Sequence, residues 1–328
     1  MATATAAIGE QSRNLVRRKF WDKLACALIY SAAVVSVSII VLIFIFVGKE
    51  ALPVFTSAEV HQEVTLSQMF RAQQYGTAEA PLPYVWQPVS TVPKYSLMPL
   101  FLGTFKVTIV AMLFATPLAI SAALYTTEFA PRWLREIIKP VIELLAGIPS
   151  VVLGFFALIV LATVLQEAFD LEYRLNAINA GIALGLAAIP VIYTISEDAL
   201  SAVPKAYRNA SLALGGSPWQ TAWKVMLPAA MPGIFAAIVL GFGRAMGETM
   251  VVLMASGNAA ITSWVFAEPV RTLSATIAAE LGEVVQGSPH WHVLFFLGTL
   301  LFVITYSLNA VGVVIVRRLR RQLTGATS

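Results

Sequence analysis

The stretch Glu197–Pro228, EDALSAVPKAYRNASLALGGSPWQTAWKVMLP, decides how the rest of the chain is read. It is polar and basic, and strongly apolar runs flank it on both sides. Its pattern predicts a short helix, a Gly215-Gly216 turn and a second short helix, because Gly is the usual residue just past a helix end. An interruption of this kind between two long apolar segments reads as a loop at a membrane surface.

Composition supports that reading. The 328 residues are 58% hydrophobic and only 12% charged, about half the charge of an ordinary soluble domain. Mean hydropathy is +0.77. Several apolar runs exceed the ~18–20 residues that cross a bilayer, which excludes a soluble protein with a greasy core. Short alternating segments, the mark of a transmembrane barrel, are absent. The expected class is an all-α integral membrane protein. The formal net charge of +4 does not point to nucleic acid, since Lys and Arg cluster beside the apolar runs, where membrane orientation requires them. Cys26 is the only cysteine, so no internal disulfide is possible.

Six spans follow along the chain. A basic N-terminal segment (1–23, with Arg13, Arg17, Arg18, Lys19 and Lys23) precedes the first, 24–47. That run is too long for a signal peptide and no small-residue cleavage site follows it. Residues 48–99 are polar and Pro-rich with few basic residues, which suits an external loop, and Tyr84, Trp86 and Tyr95 predict that it packs at least in part. The remaining spans fall at 101–125, 148–165, 177–195, 233–257 and 292–316. Pro140–Gly147 is expected to be a short helix at the membrane surface, and Arg271–Val285 an amphipathic external segment. The strongly basic flanks, including Arg132, Arg135 and Lys139, Lys205 and Arg208, and Arg317 to Arg321, all fall on one side. That side is the cytoplasm by the positive-inside rule, which puts both termini inside.

Arg244 and Glu248 stand out within the fifth span. Each costs ~2.5–3.5 kcal/mol at a helix centre on an insertion scale. On a continuous helix their spacing puts them on one face. Glycines at 241, 243 and 247 allow another backbone or a solute to approach. One reading is a self-neutralising pair that stabilises the bundle. Arg before Glu is the less favourable order on a helix, so the functional reading is preferred: a planar guanidinium offers paired donors to a tetrahedral oxyanion. Glu248 would then hold Arg244 until an anion binds, or accept a hydrogen bond from a protonated oxygen of that anion. Lys106, near the outer end of the second span, is expected to snorkel to the interface, with a charge at a pathway mouth as the second possibility. Thr104 and Thr108 are expected to bond to their own helix backbone. The histidines (His61, His290, His292) lack companion ligands for a metal. No phosphate-binding Gly-x4-Gly-Lys-Ser/Thr loop occurs, so the sequence offers no such nucleotide site.

The tail of the opening stretch, Gly215 followed after nine residues by Val225-Met226-Leu227-Pro228, resembles the cytoplasmic loop of ABC importer permeases. Gly103–Thr108 (GTFKVT), Glu143–Ser150 (ELLAGIPS) and above all Gly243–Met250 (GRAMGETM) with Gly257-Asn258 resemble the phosphate-specific permeases of C-type, PstC, over roughly residues 85–320. The resemblance implies the type I importer permease (MetI-like) fold, with its core at 100–316 and a basic tail at 317–328. It implies a coupling loop at 197–228 that an ATPase grips through Asn209, Ala210, Ser211, Gly215, Gly216, Leu227 and Pro228. It also implies a substrate pathway using Arg244, Glu248 and Thr249. The chain would carry no cofactor of its own. Its partners would be a related A-type (PstA-like) permease, two PstB-like subunits holding ATP and Mg, an external PstS-like phosphate-binding protein and bacterial inner-membrane lipid. The family places a Glu where this chain has Asn209. Alternatives are a permease for sulfate or molybdate, and a membrane enzyme acting on lipid-linked phosphate.

Overall fold

The computed structural model describes the backbone of residues 2–73, 75–76 and 81–324, and divides into two units, 1–50 and 51–328. Its described residues hold six helices long and apolar enough to cross a membrane: Trp21–Thr56, Met98–Glu128, Ser150–Phe169, Ala177–Ser201, Pro218–Gly247 and Pro289–Leu319. The all-α, six-span architecture expected from the sequence is therefore present. The side chains of Arg13, Arg17, Arg18 and Arg320, expected to orient the chain, lie outside the described residues.

The first unit is one helix, α1 (Ala2–Ala51), polar at its start and apolar on all sides from residue 24 onward. A helix that is apolar all round has no preferred wet face, as a membrane span requires.

The second unit opens with short helices α2 (Pro53–Thr56), α3 (Ala58–Glu63) and α4 (Leu66–Phe70). Two small antiparallel hairpins follow: β1 (Tyr75–Gly76) with β2 (Pro81–Leu82), and β3 (Trp86–Gln87) with β4 (Lys94–Tyr95). Together these form a packed cap. Val54, Val60, Met69, Trp86, Tyr95 and Leu97 share one buried core with Leu273 and with Val293, Leu294 and Leu297 of the last span. The aromatic residues predicted partial packing, and the structure carries it further.

The central bundle is built from α5 (Met98–Glu128), α9 (Ala177–Ser201) and α12 (Leu227–Gly247). Ala111, Ala115, Ala119 and Ala123 form a fully buried stripe along α5, and Gly181 and Gly185 of α9 lie against Val110, Ala111 and Phe114. Small residues let helices approach closely in lipid, where dispersion contact replaces the hydrophobic effect. The surface helix starts earlier than expected, as α6 (Arg132–Ala146). It is amphipathic, with Trp133, Ile137 and Leu144 exposed on its apolar side. Its polar side fastens it. Arg135 donates to the carbonyls of Thr126 and Thr127 at 3.0 and 2.7 Å, satisfying the open end of α5. Lys139 meets Glu197 of α9 at 3.1 Å; that hydrogen bond and charge raise the Lys139 pKa.

The third span is α7 (Ser150–Phe156), a π turn at Ala157–Leu161 and α8 (Ala162–Phe169). Beyond α9 lie α10 (Lys205–Ala213), α11 (Pro218–Thr221), a second π turn at Ala222–Met226, and then α12. The rest comprises α13 (Met250–Ala255), an irregular segment 256–272, α14 (Leu273–Glu280) and α15 (Pro289–Thr324). Since α5 begins beside the cap and ends beside α10, the cap and the α10–α11 handle occupy opposite ends of the bundle.

Candidate functional site

The fifth span departs from the sequence reading. Its helix stops at Gly247 rather than continuing to 257, and a new helix restarts at Met250. Glu248 is extended, with φ −69° and ψ 136°. Arg244 and Glu248 therefore do not share a helix face, and no ion pair joins them among the described residues. Three glycines within seven residues weaken the helix here.

The backbone groups freed at the break find new partners, as they must in lipid. The Glu248 amide donates to Ala245 O at 3.3 Å. The Glu248 carbonyl accepts from the Ser274 hydroxyl at 2.8 Å. The Glu248 carboxylate accepts from the Thr249 amide at 3.2 Å, and the Thr249 hydroxyl donates to Gly247 O at 3.3 Å. Glu248 thus organises the restart of the helix instead of neutralising Arg244. Ser274 was not singled out from the sequence, since nothing local marks it.

A cleft of about 510 Å³ opens beside the break, walled by Gly247, Thr249, Ser274, Ile277, Leu281 and Trp291 among others. A Cβ added at Gly247 would meet no atom within 4 Å. Arg244 does not line this cleft. It sits exposed in the last turn of α12, where a cation complements the helix dipole. With no carboxylate holding it, its guanidinium is available to an anion from outside the chain.

Lys106 does not snorkel to the interface. Its residue is 1% exposed. Its ammonium donates to Ser263 O at 3.1 Å and to Val265 O, and it lies 5.7 Å from the Phe266 ring centroid. It pins segment 256–272 onto α5. Lys106→Met would leave two carbonyls without a charged donor, each such bond being worth ~1.5–3 kcal/mol. Amide hydrogen exchange should then quicken at least tenfold across 258–272 and stay unchanged in α9. Unchanged exchange in 258–272 would remove this role. Thr104 and Thr108 bond to their own helix, as expected, at 2.7 Å each. Thr104 also accepts from the Leu273 amide at 3.0 Å, joining α5 to α14.

The handle is well ordered by its own residues. Gly215 has φ +83°, a conformation that favours glycine, and its amide donates to Leu212 O at 3.0 Å to close α10. The Gly216 amide donates to Ser211 O at 3.0 Å, and the Ser211 and Thr221 hydroxyls are 2.9 Å apart. Ser217 and Gln220 form a reciprocal capping box at 3.2 and 3.0 Å. Leu227 and Pro228 open α12 directly behind. Asn209 and Ala210 are exposed on α10 beside Tyr207 and Leu214. Trp219 and Trp223 pack edge to face at 5.7 Å and stay largely exposed. Arg208 reaches Glu128, at the end of α5, at 3.4 Å.

Six helices of membrane-crossing length, with an exposed polar handle at one end of the central bundle and an open cleft at a broken helix, fit a multi-pass membrane permease. Residues 115–324 match the family described as binding-protein-dependent transport system inner membrane component, and the chain belongs to that family. It is a permease subunit of an ABC importer and not itself an enzyme; such subunits work with an ATPase and a binding protein. Among its relatives is a probable ABC transporter permease protein of Bacillus subtilis, YqgH, 36% identical over 86% of this chain and 84% of that protein. The phosphate transport system permease protein PstC of Xylella fastidiosa is 31% identical over 72% of this chain and 78% of that protein. PstC 1 of Mycobacterium tuberculosis is 35% identical over 69% and 74%. In fold, the chain is similar to a solved bacterial alginate ABC transporter (TM-score 0.58, 14% identity, 92% of this chain and 99% of that one). It is also similar to the inward-facing MetNI methionine ABC transporter (TM-score 0.51, 22% identity, 68% and 94%). The MetI-like fold expected from the sequence is thereby met.

Proposed function

We propose that this chain is the C-type permease of an ATP-driven importer of inorganic phosphate and forms half of the membrane pathway. The observation that carries the reading is Arg244: an exposed guanidinium in the last turn of a membrane helix, without a carboxylate partner among the described residues, three residues before the helix ends at Gly247. The sequence similarity to PstC permeases adds to it. Arg244 offers paired N–H donors to a phosphate oxyanion. Thr249 adds a hydroxyl. The Glu248 carboxylate, bonded to the Thr249 amide through one oxygen, keeps the other for a P–OH donor.

The partners would be an A-type permease, two ATP-binding subunits with ATP and Mg, and an external phosphate-binding protein, assembled in a bacterial inner membrane with both termini cytoplasmic. The ATPase would seat on the handle. Asn209 removes the family's charge there, so Tyr207, Leu214 and Trp219 supply apolar contact, while Gly215 and Gly216 shape the turn. Closing of the ATPase dimer would push α10–α11, and Leu227–Pro228 would carry the motion into α12 and so to Arg244.

The test is labelled-phosphate uptake by the reconstituted complex in vesicles. ATP-dependent uptake that a hundredfold excess of sulfate leaves intact is expected. Uptake that sulfate or molybdate abolishes would replace phosphate by that anion.

A further inference from the structure

One part-buried polar cluster plays no part in the pathway just described. The Glu280 carboxylate, at the end of α14, is met by three side chains from three different segments. Arg271 reaches one oxygen at 2.7 Å. His290 of α15 contacts the other at 2.9 Å. Trp86 of the cap donates its indole N–H to both, at 3.0 and 3.2 Å. The rings of Trp86, Tyr95 and His290 pack around it, with centroids 5.8 to 6.4 Å apart. Burial would raise the Glu280 pKa, but the hydrogen bonds from His290 and Trp86 and the Arg271 charge outweigh it and leave it lowered. The carboxylate therefore stays ionised and holds all three donors.

The other end of α14 touches the break. Ser274 donates to the Glu248 carbonyl, the Leu273 amide donates to Thr104, and Ile277 and Leu281 wall the cleft. This helix of eight residues thus lies between the cap and the cleft, bonded to the break through Ser274 near its start and to the cap through Glu280 at its end. A helix this short is marginal by itself in water, so its place is set by its end contacts. A part-buried ionic cluster adds little stability compared with packed apolar side chains, but it ties three segments to one carboxylate.

We propose that Glu280 is a positioning residue, through which the cap sets α14 against the α12–α13 break, so that docking of the binding protein on the cap end shifts the cleft. The proposal rests on the transport reading of the break. The cap lies at the end of the bundle opposite the handle, which is the end an external binding protein would meet.

The experiment uses the full complex in vesicles, with phosphate-loaded binding protein as the probe. Basal ATPase, binding-protein-stimulated ATPase and complex assembly are read together. Glu280→Gln should lower the stimulated rate about tenfold, in line with loss of one charged hydrogen bond, and leave basal ATPase and assembly unchanged. Trp86→Phe, which removes the indole donor and keeps every charge, should act in the same direction, about threefold. A stimulated rate equal to wild type in Glu280→Gln overturns the proposal, and so does a parallel fall of basal and stimulated rates. If Glu280→Gln does not assemble, Trp86→Phe decides, with wild-type stimulation overturning the idea. Failure of the phosphate reading has a different signature, since the unaltered complex would then show no stimulation by phosphate-loaded protein.

Discussion

Arg244→Ala is expected to abolish ATP-dependent phosphate uptake, reducing it at least a hundredfold, while the complex still assembles. A guanidinium in a membrane helix is disfavoured by a few kcal/mol, and here no carboxylate among the described residues pairs with it. Its removal therefore costs the isolated chain nothing in ion pairing, so folding and assembly should be spared. What is lost is the paired-donor geometry for an oxyanion, where each charged hydrogen bond is worth ~1.5–3 kcal/mol. Two such bonds account for a hundredfold or more. Arg244→Lys sharpens the test. A lysine keeps the charge as a point and loses the fork, so its uptake should remain well below wild type. Uptake at the wild-type rate by the assembled Arg244→Ala complex would end the pathway assignment.

That prediction survives a change in the geometry behind it. Spacing alone suggested that Arg244 and Glu248 share a face, and the structure separates them by ending the helix between them. A spacing of four reads the same along an intact helix and along one that breaks before its last residue. The glycines at 241, 243 and 247 leave room for a neighbour, and they also weaken the helix. Other local features were mostly legible. The spans announce themselves as apolar runs of bilayer length, and the handle as a Gly215-Gly216 turn between two short helices. Features made by distant chain were not legible. The carbonyls that bury Lys106 lie 157 and 159 residues away, and Trp86 meets Glu280 across 194. Without those partners, Lys106 could only be judged by its place near a helix end, and Glu280 only as part of an amphipathic stretch. The cap falls between the two cases: its aromatic residues hinted at packing, and its partners, Leu273 and the start of α15, could not be read.

The second large effect is expected at Gly103, at a contact far from any charge in the pathway. A Cβ at this position would sit 2.2 Å from the Arg271 carbonyl oxygen and 3.0 Å from its carbon. The obstacle is backbone, so no rotamer change relieves it. Nor is that backbone free to retreat. The Arg271 side chain is held by Glu280 at 2.7 Å, and two residues on, the Leu273 amide is held by Thr104, the immediate neighbour of Gly103. Gly103→Ala must therefore either force α5 away from segment 271–273 or break both attachments. Overpacking a well-filled site ordinarily costs ~1–3 kcal/mol, and breaking buried hydrogen bonds adds ~1 kcal/mol or more for each. A sum above ~3 kcal/mol is a large part of the stability of any domain, so the variant should fail to accumulate in membranes or should unfold many degrees below wild type. Gly247→Ala is the matching control, because a Cβ there meets nothing within 4 Å, and its melting temperature should stay within a degree or two of wild type. Comparing thermal unfolding of the two purified variants isolates close backbone approach from the general effect of removing a glycine. A Gly103→Ala chain as stable as wild type would mean that α5 and segment 271–273 are not locked together. Since that lock also positions α14, stimulation by the binding protein should fail in any Gly103→Ala complex that does assemble.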